Sequence, residues 1–126
     1  MKSTNEYTDE RFSIQIKDGV VHVVFLKDYI DYDFVNDLIN TRIQITGDKT
    51  YPMFSDFRKV KSGPREARER MAAKDGGYGV SAVAILINSK IHKIIYNFFH
   101  SIYKAPAPAK LFTDKDKALK WLEQFK

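Results

Sequence analysis

The sequence predicts an α/β domain: an N-terminal antiparallel hairpin, then alternating β/α units, giving a five-stranded mixed sheet with four helices. Three observations carry this. Residues 12–26 hold two apolar stretches split by Asp18-Gly19, a pair that favours a two-residue hairpin because both centre positions tolerate positive φ. Beyond residue 26, helix-spaced segments and short strand-like runs alternate strictly, which argues for parallel crossovers with helices packed on the sheet. The chain has 126 residues, 44% hydrophobic and 29% charged, the profile of one domain that buries a core without staples.

Residues 1–11 are polar and mixed in charge, and read as a flexible segment ahead of a single domain over residues 12–126. Phe12 to Lys17 alternates apolar and polar, as a half-buried strand does. Val20 to Leu26 is almost continuously apolar, which implies cover on both faces. Asp31 or Asp33 can cap a helix reaching about Thr46. Phe34, Val35, Leu38, Ile39 and Ile45 repeat at helical spacing there, and Gly47 stands where a helix stops. Thr50 to Phe57 is a third strand with Pro52 near its start. A basic loop, Arg58 to Lys61, leads to Ser62. That serine can cap a short helix with Pro64 in its first turn and Glu66 near the positive end. Gly76-Gly77 ends this helix.

Gly79 to Ile87 is rich in small and branched residues, which suits a central strand covered on both sides. Ser89 caps the next helix, which reaches about Lys104. Ala105 to Ala109, with two prolines, is an extended connector. Lys110 to Thr113 is the last strand. Thr113 and Asp116 have capping-box spacing for a final helix lined by Ala118, Leu119, Trp121, Leu122 and Phe125.

Several function classes find no support. The absence of cysteine removes disulfides, thiolate ligands and cysteine nucleophiles together. His92 and His100 are eight apart, not the three or four that align ligands on a helix face, and His22 lies in a strand, so no metal is expected. Gly76-Gly-Tyr-Gly79 follows a helix and opens a strand, the reverse of a phosphate-binding loop, and reads as a turn. No glycine-flanked serine elbow and no converging carboxylate pair is visible, so neither an enzyme nor a cofactor is expected. The net charge of +5 is concentrated in residues 64–126, with twelve Lys/Arg against six Asp/Glu. These lysines are dispersed along helix surfaces, which argues for solubility rather than nucleic-acid binding. No run approaches the roughly 18 apolar residues of a membrane span. No apolar stretch follows the first basic residue, so a cytoplasmic protein without a signal peptide is expected.

Two surfaces stand out as candidates. The first is Asp56, Arg58, Lys61, Ser62, Gly63 and Arg65. Asp56 closes a strand, and strand carboxyl ends are where open α/β sheets place ligands. Its plainer role is to pair with Arg58. Ser62 reads either as an anion contact or phospho-acceptor at a helix start, or as a plain cap. The six Lys/Arg between Arg58 and Arg70 favour an anion or an acidic partner surface. The second surface is His92, Tyr96, Phe99 and Tyr103, a stripe beside the core stripe Ile91, Ile94, Ile95, Phe98 and Ile102. It fits a protein partner or a homodimer, since tyrosine and phenylalanine are enriched at interfaces, and equally a wide buried face packed under neighbouring helices with the tyrosine hydroxyls reaching water.

Leu86-Ile-Asn-Ser89, Asn97-Phe-Phe99, Lys104, Pro108 and Leu111-Phe112 form a further pattern, closed by Ala118 and Trp121-Leu122. With Tyr51-Pro52, Asp56 and Ala67-Arg68, it resembles a bacterial family of small STAS/SEC14-like domains, related in fold to the anti-sigma factor antagonist SpoIIAA. The resemblance spans about Phe12 to Phe125. It implies a sheet of mixed sense covered by helices mainly on one side, no cofactor, and a non-catalytic interaction or regulatory role. In the STAS superfamily a serine at the start of the helix after the third strand can be a phosphate acceptor, and by position Ser62 is the matching residue. The antagonist pattern Asp-Ser-Ser-Gly reads Val60-Lys-Ser-Gly63 here, so only Ser62-Gly63 agrees. The SEC14-like relatives imply an alternative, a carrier of a small apolar ligand, which needs a cavity of several hundred cubic ångströms.

Overall fold

The computed structural model describes residues 5–88 and 107–126. The hairpin forms as the sequence predicts. Strands β2 (Phe12–Lys17) and β3 (Val20–Phe25) pair antiparallel, and Asp18 and Gly19 both adopt positive φ, 53° and 76°. From β3 onward the sense changes. β4 (Tyr51–Asp56), β5 (Val80–Leu86) and β6 (Ala109–Phe112) add in parallel, each beside its predecessor. The sheet therefore runs in simple chain order.

Six strands stand where five were expected. The addition is β1 (Glu6–Thr8), which pairs antiparallel with β2 through Tyr7 opposite Ile14. Three residues are too few to show alternation. The neighbouring strand and the contact of Tyr7 with the Phe12 ring, centroids 5.6 Å apart, create it instead. Three α-helices occur among the described residues: α1 (Tyr32–Thr46), α2 (Arg65–Met71) and α3 (Lys115–Leu122). The expected helix over residues 89–104, with the face His92, Tyr96, Phe99 and Tyr103, lies outside the described residues.

The sheet separates two apolar clusters. On one face α1 and α2 cover Phe12, Ile14, Val21, Val23, Phe25, Val83 and Ile85, with Phe34, Val35, Leu38, Ile39 and Ala67 supplied by the helices. On the other face α3 contributes Ala118 and Leu122 against Val20, Phe54, Ala82, Ala84 and Leu86. Strand β5 is thus covered on both sides, as its composition predicts. Its two alanines on the α3 side let that helix approach closely. The glycines before β5 belong to a 3-10 turn, Lys74–Gly77. A side chain at Gly76 would overlap the Met71 carbonyl, so packing accounts for that glycine.

Candidate functional site

The parallel strands β3, β4 and β5 end side by side, with Val24 beside Asp56 and Asp56 beside Leu86. Asp56 is the last residue of β4. Its carboxylate accepts from Arg58 Nε at 2.9 Å, from Arg58 Nη2 at 2.7 Å and from the Arg58 backbone N–H at 3.1 Å. This fork raises the guanidinium's pKa and engages the charge of Asp56. The plainer of the two roles read for Asp56 is the one observed. Phe57 and Val60, both 2% exposed, pin the following turn, and Asn88 Nδ2 donates to the Arg58 carbonyl at 3.1 Å. These residues border an open cleft of about 300 Å³ lined by Val24, Phe25, Leu26, Asp56, Arg58, Lys59 and Asn88.

Ser62 does not cap a helix. The N-cap of α2 is Pro64, at ψ 165°, with no side-chain cap bond, and the helix begins at Arg65. Pro64 holds the cap position in extended conformation, so Gly63 and Pro64 stand between Ser62 and the first turn. Ser62 is held by its main chain instead. The N–H groups of Lys61 and Ser62 donate to the Asp28 carbonyl at 2.7 and 3.0 Å, and Ile30 N–H donates to the Ser62 carbonyl at 3.0 Å. The result is a short parallel bridge between Tyr29 and Ser62. The side chains of Lys61 and Ser62 remain exposed. Arg65 lies further on, 78% exposed, with Glu69 at 3.8 Å. Of the six predicted residues, Lys61 and Ser62 share one stitched loop pair, Asp56 and Arg58 form an ion pair before it, and Gly63 and Arg65 follow it.

The stitching also exposes what sequence reasoning passed over. Ile30 is fully buried and anchors the first loop, which leaves Tyr29 and Tyr32 on the surface, 53% and 44% exposed. With Tyr78 they are the exposed large apolar side chains among the described residues. The available signal was the alternation Tyr29-Ile30-Asp31-Tyr32, in which a single apolar residue can point inward. Among the described residues no three His, Asp or Glu side chains converge as metal ligands. No helix among them is long and apolar enough to cross a membrane.

A second polar feature lies beneath α1. Arg42 is 2% exposed, yet it stands on the helix face that packs against the sheet. Its Nη1 donates to the Tyr78 carbonyl at 2.6 Å, and its Nη2 to the carbonyls of Asp75 and Gly76 at 3.3 and 3.2 Å. Burial pushes the guanidinium pKa down to about 10, against the pull of Asp75, so the group stays charged at neutral pH. The neighbouring cavity, lined mainly by apolar residues including Val23, Leu38, Met53 and Val83, is about 50 Å³.

Comparison with known proteins bears on the fold and the family. No protein of curated function matches the chain. Among solved structures, the chain is similar to an uncharacterized protein from the DUF3478 family with a SpoIIAA-like fold, from Shewanella loihica PV-4. The TM-score is 0.69 and the identity 17%, over 97% of this chain and 98% of that one. The similarity establishes a SpoIIAA-like α/β fold. The family model described as domain of unknown function DUF7793 matches residues 14–126, nearly the whole of the sheet and its helices, and the chain belongs to that family.

Proposed function

We propose that this protein is a non-catalytic interaction module that docks a protein partner through the paired loops around Ser62. The observation that carries the reading is the backbone stitching of Asp28–Ile30 to Lys61–Ser62, which holds Tyr29, Lys61 and Ser62 together on one rigid, exposed platform. Exposed tyrosines on a fixed backbone give contact area at low entropic cost. Ser62 is the natural point of regulation. A phosphate on its hydroxyl would add nearly two negative charges beside Lys61 and reverse the local field. The carrier reading has less support, because a cavity of about 50 Å³ falls well short of a lipid-sized site.

The test is paired affinity capture from extracts of the source cell. The wild-type chain is compared with a Tyr29→Ala/Lys61→Glu variant whose fold is checked by its amide NMR spectrum. Mass spectrometry quantifies bound proteins and reads phosphate on Ser62. Loss of an interface tyrosine and a rim charge lowers affinity about tenfold or more, so the partner is expected to be depleted on the variant. Identical protein sets on both baits would sink the reading.

A further inference from the structure

We infer that the platform is a self-complementary docking face and that its occupant is a second copy of this chain. The inference rests on the interaction reading above and names the partner. The argument is the order of charge. The first segment, Lys27 to Asp33, runs into the first turn of α1 and carries Asp28, Asp31 and Asp33 against one lysine, and all four are exposed. The second segment, Arg58 to Arg65, carries Arg58, Lys59, Lys61 and Arg65 and no acid; Arg58 is engaged by Asp56 and Arg65 lies near Glu69, so Lys59 and Lys61 give the segment its outward charge. The main-chain bonds from Lys61 and Ser62 to Asp28 hold these two loops side by side. Even so, no ion pair among the described residues joins Asp28, Asp31 or Asp33 to Lys59 or Lys61. Asp31 is engaged as the N-cap of α1, accepting from Phe34 N–H at 2.9 Å, which leaves Asp28 and Asp33 as the outward acids.

An acidic row and a basic row therefore lie adjacent, neither neutralising the other, with the exposed Tyr29 bridged to Ser62 at their seam. A uniformly acidic partner would meet like charge along the first row, and a uniformly basic one along the second. A partner with the same two rows, rotated by a two-fold axis between them, sets each row against its opposite. That is the geometry of an isologous dimer, in which the same patch serves both copies. Tyr29 then sits near its centre, where aromatic side chains are enriched. A face built from two loops is small, so the association is weak and strengthens with protein concentration.

Sedimentation equilibrium of the full chain over a wide concentration range tests this, with two double variants. Asp28→Lys/Asp33→Lys reverses the charge of two of the three acids in the first row and spares the Asp31 cap. Lys59→Glu/Lys61→Glu reverses the two lysines of the second row and leaves Arg58 with its partner Asp56. The expected result is a wild-type monomer–dimer equilibrium that weakens with added salt. Each variant alone is monomeric at the same concentrations, and an equimolar mixture of the two regains the dimer. Recovery in the mixture also shows that both variants are folded. A wild-type chain that stays monomeric throughout overturns the inference, as does a variant that dimerises as well as wild type. If the wild type is monomeric while Tyr29→Ala/Lys61→Glu still loses a captured partner, the inference falls and the interaction reading stands. If those substitutions alter neither capture nor self-association, the interaction reading falls as well.

Discussion

Arg42 occupies a position where the apolar stripe of α1 calls for a hydrocarbon side chain. Val35, Leu38 and Ile39 precede it on the same buried face. A guanidinium taken out of water needs several strong acceptors, and the 3-10 turn Lys74–Gly77 with Tyr78 presents three carbonyls to it. Arg70 clamps the same turn from the other side. It donates from Nη1 and Nη2 to the two carboxylate oxygens of Asp75 at 2.7 and 3.0 Å, and from Nε to Asn36 at 2.9 Å. This pairing holds the Asp75 pKa below the usual carboxylate range. Arg42 therefore acts as a bolt between α1 and the approach to β5. Replacement by methionine keeps the bulk and removes the donors, leaving the carbonyls of the turn poorly satisfied. Arg42→Met is expected to lower stability by about 1 to 3 kcal/mol. Arg42→Lys should fare little better, because the three donors of an ammonium radiate from one nitrogen and cannot reproduce the spread of Nη1 and Nη2 over the carbonyls. Urea denaturation monitored by far-UV circular dichroism measures both, and an unchanged midpoint for the methionine variant would show that the bolt is dispensable.

At the scale of the element, the caps separate what the chain announces from what it conceals. Asp31 behaves as the sequence predicts. It sits at the N-cap of α1 and accepts from Phe34 N–H, while Gly47 takes φ 63° at the other end. Ser62 has the same local signature, a cap residue ahead of a helix, but Pro64 and the distant loop at Asp28 move it out of that role. The final helix shows a smaller displacement. Asp114 rather than Thr113 is the N-cap, accepting from Lys117 N–H at 3.1 Å. Local chemistry identifies a capping residue within one position, and it fails where a non-local main-chain bond competes for the same segment. The two serine and aspartate roles give opposite expectations. Asp31→Ala should cost about 1 kcal/mol through the lost cap. Ser62→Ala should change stability by less than about 0.5 kcal/mol, because the backbone of Ser62, not its hydroxyl, holds the loop. Matching losses in the two variants, read from urea midpoints, would restore Ser62 as a structural cap. The same contrast explains the partial legibility of the candidate site. Asp56 with Arg58 was readable because the pair is two residues apart. The meeting of Tyr29 with Ser62 was not, because it spans thirty-three positions and depends on β3 and β4 lying side by side.

Across the whole molecule, the alternation of strand and helix was enough to give the parallel half of the sheet, and Asp18-Gly19 gave the antiparallel half. Periodicity did not show which helix goes to which face. The assignment follows from side-chain size, since β5 turns Ala82 and Ala84 toward α3 and Val83 and Ile85 toward the α1 side. Among the described residues one short helix covers the second face. Ala118 and Leu122 are fully buried there, and Trp121 lies against Phe112 and Phe125 with ring centroids 5.7 and 4.8 Å apart. Trp121 is the only tryptophan in the chain, so its fluorescence reports the docking of α3. A helix of eight residues has too little intrinsic stability to persist undocked. It should therefore leave the sheet only when the sheet itself unfolds. Tryptophan fluorescence and far-UV ellipticity are expected to change over the same urea range, as in a two-state domain. Leu122→Ala should move both transitions together by about 2 to 4 kcal/mol, the loss typical of a large-to-small change in a packed core. A fluorescence transition that runs ahead of the ellipticity in wild type, or shifts alone in the variant, would mean that α3 is a detachable cover and the sheet with α1 and α2 is a separate cooperative unit.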